Sequence, residues 1–295
     1  MWLVFASLAA VSFGLRGVFY HWTSTKPMER SLMLCGVFFT GTLISLACAL
    51  MLGQLWTVSA FTGILMGVFS FGANASMVKG FSVGKASLIA VLTALPPVVV
   101  VLLAFAIWGE TLTNLQLACF AVILTGILLI RFSGDVSFKH LEGVKWGLLA
   151  TLFFGLNDMA GKWSTMLEAA TFPTLVGMFA TGTVLFGLSY LSGTARRRSA
   201  AAGSGRVIAE AGAQWSRSKT FGTGMAVGIT NSVGMVLILQ AFDLGVTGLV
   251  SAVVAMNVVV ILLYTRIVVK EKFTRQELAG MVLAICGIIL LRLFD

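Results

Sequence analysis

Two ionisable side chains stand in otherwise apolar surroundings: Arg16 in Val11–Tyr20 and Asp158 in Leu152–Gly161. A charge at bilayer depth costs about 2.5–3.5 kcal/mol on insertion scales, so such residues tend to face a cavity, an ion path or a proton relay. Asp158 is short and suits a pathway or proton-carrying role. Its plainer reading is a carboxylate one turn from a helix end, facing water. Arg16 suits the mouth of a pathway; its plainer reading is a long stem that carries the guanidinium to the headgroups. Four amides stand near these charges or in the same kind of setting: Asn74, Asn157, Asn231 and Asn257, with Tyr264 one face further on from the last. Each must find partners away from lipid, either as cavity-facing donors for a solute or as hydrogen bonds between helices.

Other chemistries lack their residues. Gly80–Ser87 has the glycines and lysine of a phosphate loop, but the spacing is short and Ala86 follows Lys85 where a hydroxyl is required. The histidines, His21 and His140, have no partner at metal-ligand spacing. The reading is therefore of a protein that is not an enzyme and needs neither metal nor organic cofactor, with a proton or the membrane potential as the driving force. The net charge of +9 comes without a basic groove or recognition motif, so nucleic acid is not an expected partner. All four cysteines, Cys35, Cys48, Cys119 and Cys286, lie within apolar stretches and read as small packing residues.

The elements that must hold these groups are membrane helices. At 58% hydrophobic and 11% charged residues, with mean hydropathy +1.00, the chain carries more apolar surface than a water-soluble core can cover. Apolar stretches recur at about 2–22, 32–52, 57–78, 86–108, 115–131, 144–162, 171–192, 221–240, 247–268 and 277–293. Each is long enough to cross roughly 30 Å of hydrocarbon as a helix, and none shows the short alternation of a barrel strand. The first begins at Met1 with no basic leader and no cleavage site, so it reads as a span and not a signal peptide.

The chain also contains itself twice. Residues 13–52 align without gaps on 154–193, and 63–132 on 224–293. Phe13-Gly14-Leu15 matches Phe154-Gly155-Leu156, Thr40-Gly41-Thr42 matches Thr181-Gly182-Thr183, and Gly63 and Gly67 match Gly224 and Gly228. The small-xxx-small glycines predict close helix packing, and the Trp22 and Trp163 pair predicts interfacial anchoring. The alignment breaks at a polar insertion, 194–220, rich in Arg, Ser, Ala and Gly. Its simplest reading is a surface loop.

Five spans per half require the second half to enter from the face where the first ended. Basic residues follow spans 1 and 3 in the first half (Lys26, Arg30, Lys79, Lys85), and spans 7 and 9 in the second (Arg196–Arg198, Arg266, Lys270). Equivalent loops thus carry opposite bias, as inverted repeats require. Of the 20 Lys and Arg, only Lys162 and Arg292 fall on the poorer face. The positive-inside rule makes the crowded face cytoplasmic and leaves both termini outside. Inversion also puts Arg16 and Asp158 on opposite sides of the midplane, roughly 15 Å apart along the normal, so no direct ion pair is expected.

The motifs complete the picture. Pro96-Pro97 in an apolar span is followed by Gly109-Glu110-Thr111-Leu112, Gln116 and Gly126-Ile127-Leu128-Leu129 up to Arg131. The second half has Lys270-Glu271-Lys272-Phe273, Glu277 and Gly287-Ile288-Ile289-Leu290 up to Arg292. With the paired Phe-Gly-Leu segments, this resembles the EamA-like branch of the drug/metabolite transporter superfamily over residues 2–293. The resemblance implies an all-α integral membrane fold of ten transmembrane helices, two inverted five-helix repeats around a central cavity. The halves are 1–132 and 144–295, joined by a connector at 133–143. It implies secondary active transport of small organic solutes, such as export of a metabolite, amino acid or drug-like compound by alternating access. Uptake or exchange is the second expectation, and a non-transporting membrane scaffold or receptor the rival from another class. The expected setting is the plasma membrane of a bacterium, with the lipid bilayer and a small organic solute as partners; the oligomeric state is left open, and a monomer fits the reading. The chain departs from the family pattern at its end, Leu293-Phe294-Asp295, which lacks a basic tail, and at Asn257-Val258, which stand where Pro96-Pro97 stand.

Overall fold

The computed structural model describes residues 1–132, 141–204, 215–270 and 272–294. Among these, every regular element is a helix: α1 (Trp2–Ser24), α2 (Arg30–Met51), α3 (Thr62–Val83), α4 (Ala86–Leu92), α5 (Pro96–Trp108), α6 (Asn114–Arg131), α7 (Leu141–Met166), α8 (Thr171–Ser204), α9 (Arg217–Leu244), α10 (Thr247–Val254), α11 (Asn257–Ile267) and α12 (Arg275–Phe294), with a 3-10 turn at Val58–Phe61. Nine stretches among the described residues are long and apolar enough to cross a membrane, α4 with α5 and α10 with α11 each forming one. The remaining expected span, 144–162, lies in α7, which is long enough at 26 residues. Asn157, Asp158 and Lys162 lower its apolarity, because those side chains turn to protein and cavity instead of lipid. The connector at 133–143 lies outside the described residues up to 140, as do Glu271 and the middle of the 194–220 insertion. The flanks of that insertion are helical, α8 running on to Ser204 and α9 starting at Arg217.

Lipid offers no hydrophobic drive for helices to associate, so close approach of backbones must hold the bundle. Gly67 lies against the carbonyl oxygen of Met178 and Gly228 against that of Val37, where a Cβ would sit 2.5 Å from the oxygen in each case. Gly63 and Gly224 press even closer to the carbonyls of Thr174 and Met33. These contacts are equivalent under exchange of the two halves. So are the helix pairings: α3 packs on α7 as α1 does on α9, and α3 on α8 as α2 does on α9. Equivalent helices also meet each other, α2 with α8 and α6 with α12. Between α2 and α8 the Phe38 and Phe179 rings meet edge to face at 5.8 Å, and the Thr42 and Thr183 hydroxyls lie 3.5 Å apart. The outward faces are apolar, as on α5, where Leu102, Phe105 and Ile107 are exposed.

The stretches at 86–108 and 247–268, expected as continuous helices, are each broken. Pro96 and Pro97 open α5, and without their N–H groups the ladder cannot run on from α4. The chain tightens to i→i+3 bonds there, with Leu95 N to Leu92 O at 3.0 Å. Two carbonyls at the break accept from side chains of other helices, Leu92 O from Thr151 Oγ1 at 2.6 Å and Ala90 O from Arg131 Nη1 at 3.2 Å. The second break occurs at the equivalent place with no proline, where Met256 N donates to Val253 O at 3.0 Å and Asn257 begins α11.

The connectors gather at two ends. At one, Trp215 N donates to Pro27 O at 3.0 Å and Gly84 abuts Gly143; His21 lies at this end. At the other, Phe172 N donates to Gln54 Oε1 at 3.0 Å and Trp2 packs on Gly245; Lys162 lies here.

Candidate functional site

The two breaks face each other across a cavity of about 360 Å³, walled by α1, α3 and α7. That volume lies within the range of small-molecule sites. Its lining joins Thr93, Ala94, Pro96 and Pro97 from the first break to Val254, Ala255 and Asn257 from the second. Broken helices suit such a place, since irregular backbone at membrane depth is tolerated where it borders a cavity.

Arg16 and Asp158 both line this cavity, each with partners of its own. Arg16 Nη1 donates to Asn231 Oδ1 of α9, and the guanidinium lies 4.5 Å from the Phe13 ring centre and 5.8 Å from that of Tyr20. The amide and the rings replace part of the water the charge would lose. Asp158 Oδ2 accepts a 2.7 Å hydrogen bond from Ser251 of α10. No ion pair joins Arg16 to Asp158 among the described residues, where Arg266 pairs with Glu277 at the His21 end. The cavity therefore offers a cation on an aromatic wall and a carboxylate between α7 and α10, with apolar lining from Phe154, Met178 and Met235.

Of the other residues singled out in the sequence, Asn74, Asn157 and Asn257 line the cavity. Asn74 spends one donor on Ser70 O of its own helix, at 2.8 Å. The Asn157 side-chain oxygen has no hydrogen-bond partner among the described residues. Asn231 is buried and reaches the site through Arg16. Tyr264 stands apart, its ring packed edge-on against His21 with centroids 6.1 Å apart. No group of three metal-ligating side chains converges among the described residues.

Three contributors escaped the sequence reading. Ser251 is a small hydroxyl in an apolar run; its only signal was its place three residues before the break. Arg131 reads from sequence as a charge at the end of a span. In the fold it reaches the first break and lines the cavity. Lys162, read with Arg292 as one of two cations on the poorer face, donates from Nζ to Phe242 O at 2.6 Å and Gly245 O at 3.1 Å.

The model of the EamA-like transporter family matches residues 1–132 and 141–293, nearly the whole chain in two copies. The chain belongs to the EamA-like transporter family. As an EamA-like protein it is a multi-pass membrane protein of a family of small-solute transporters. The comparison with curated proteins found no match. Among solved structures, one described only as "Crystal structure of protein" is similar over 99% of this chain and 96% of its own, with TM-score 0.77 and 14% identity. At that identity the likeness speaks for the fold alone.

Proposed function

We propose that the chain is a secondary active transporter that binds a small organic solute in the cavity and exposes it alternately to the two sides of the membrane. The observation that carries this reading is the position of the cavity: between two equivalent helix breaks, one from each half, with Arg16 and Asp158 on its walls. Discontinuous helices at the interface of repeats are the usual location of solute sites in secondary transporters. The exchange-related glycine contacts support two five-helix halves, 1–132 and 144–295, of inverted topology and ten spans in all. The Lys and Arg bias supports a cytoplasmic His21 end and extracytoplasmic termini in a bacterial plasma membrane.

A proton is the coupling species best supported. Asp158 is the carboxylate of the cavity wall, and its Ser251 partner can serve the ionised form as donor and the neutral form as acceptor. Solute and proton then compete for, or share, the same wall. Export of a metabolite, amino acid or drug-like compound is the direction the family suggests. Counterflow in proteoliposomes, with a mixed metabolite pool inside and labelled candidates outside, tests the reading. Accumulation of at least one solute only in protein-containing vesicles is expected, and its absence across the pool would refute transport.

A further inference from the structure

Exchange of the two halves relates the most extensive helix contacts, and two contacts it leaves without a counterpart lie at the Lys162 end. α7 packs on α9 near its Lys162 end, but the equivalent helices α1 and α3 make no comparable contact and stand on either side of the cavity. α10 packs on α5, with Gly248 tight against Val101, whereas their equivalents α4 and α11 do not meet in this way. At the same end the Glu110 carboxylate accepts from Thr247 N and Thr247 Oγ1, each at 2.7 Å, tying the connector after α5 to the start of α10. The Lys162 end is shut and the His21 end is parted.

Lys162 sits in the seam that distinguishes them. Its ammonium bridges Phe242 O in the last turn of α9 and Gly245 O at the cap, so a cation meets the carbonyl end of a helix. Under the sequence alignment the counterpart of Lys162 is His21, and the counterparts of Phe242 and Gly245 are Phe81 and Gly84. That receiving end is built alike: α3 ends in an extended Gly84 (φ −120°, ψ 173°), as α9 ends in an extended Gly245 (φ −129°, ψ 167°). His21 does not occupy it. Its imidazole packs on Tyr264, and the Phe81 side chain lines the open cavity.

We infer that Lys162 is the pin that holds one mouth of the cavity shut, and that His21 is its counterpart, donating a ring N–H to the carbonyl end of α3 at Phe81–Gly84 when the other mouth closes. The inference deepens the alternating-access reading, on which it rests, by naming the residue that positions each gate. An imidazole reaches less far and carries fewer donors than an ammonium, so the two mouths are held with unequal strength. That inequality biases the resting protein toward the conformation described here.

The test is side-specific labelling. In a full-length background with the four cysteines replaced by serine, Ala255→Cys places one thiol on the cavity wall, and a membrane-impermeant maleimide is applied from each side of sealed vesicles. The parent should label faster from the His21 side. Lys162→Met should raise labelling from the Lys162 side by about tenfold, and Lys162→Arg, which keeps the donors, should leave the parent ratio. His21→Lys, which strengthens the opposite pin, should slow labelling from the His21 side by about threefold or more. An unchanged side ratio in Lys162→Met would overturn the assignment, as would unslowed labelling in His21→Lys if Lys162→Met fails to insert. Counterflow on the same vesicles separates the two claims. Shifted labelling without solute exchange would retain the pin and reject transport; exchange with unshifted labelling would do the reverse.

Discussion

Asp158 and Arg16 answer the cost of a charge at membrane depth in different ways, and their substitutions should fail differently. Asp158→Asn keeps the size of the side chain and its hydrogen bonding to Ser251 but abolishes proton binding. Solute exchange at equal pH should survive within about threefold, whereas acceleration by an imposed pH gradient should fall by about tenfold or more, roughly 1.4 kcal/mol of coupling. Proteoliposome flux with and without the gradient measures the difference, and an unaltered gradient response would remove the proton from Asp158. Arg16→Lys keeps the charge and loses the planar face that lies over Phe13. Flux should drop by about tenfold while the amount of folded protein, read by size-exclusion chromatography, stays near that of the parent. Both residues were legible in the sequence because a charge inside an apolar run is conspicuous. Ser251 as the partner of the carboxylate was not, since a hydroxyl in a helix carries no mark of the neighbour it will meet.

At the scale of elements, glycine placement and helix breaks set the geometry of the site. Gly63 and Gly224 press on backbone carbonyls, which cannot swing aside as a side chain end could. Gly63→Val and Gly224→Val should each lower thermal stability in detergent, at about 1–3 kcal/mol apiece, and to a similar degree because their contacts are equivalent. A fluorescence-based melting assay checks both, and an unperturbed Gly224→Val would contradict the packing. The first break was foreshadowed by Pro96-Pro97. The second was not, because Asn257 forbids no hydrogen bond; its geometry comes from what α10 packs against on α1 and α5. Replacing both prolines with alanine should therefore leave a break, since the second half maintains one without proline.

For the whole molecule, the unequal ends are the property with consequences. In a bundle whose most extensive helix contacts obey exchange of halves, the proposed alternating access corresponds to swapping which end is closed. The proposed orientation is open to a direct check: a reporter active only outside the cytoplasm, fused to the C-terminus, should be active, and a cytoplasmic fluorescent reporter there should be dark. The opposite pattern would invert the assignment of the two ends without disturbing the bundle.

Apolar length, charge bias and internal repetition are local or additive properties, so the sequence by itself determined the membrane setting, the helical class, the duplication and the family resemblance. It also marked Arg16 and Asp158 as charges needing an explanation. Tertiary structure alone decided that both lie on one cavity with separate partners, that Asn231 serves Arg16, that Tyr264 stands off the cavity, and that Lys162 grips the end of α9. Those outcomes depend on which helix faces meet across the two halves. Meeting is a property of pairs far apart in the chain, and in a bilayer it is selected by backbone approach and polar partnership more than by any pattern within one span.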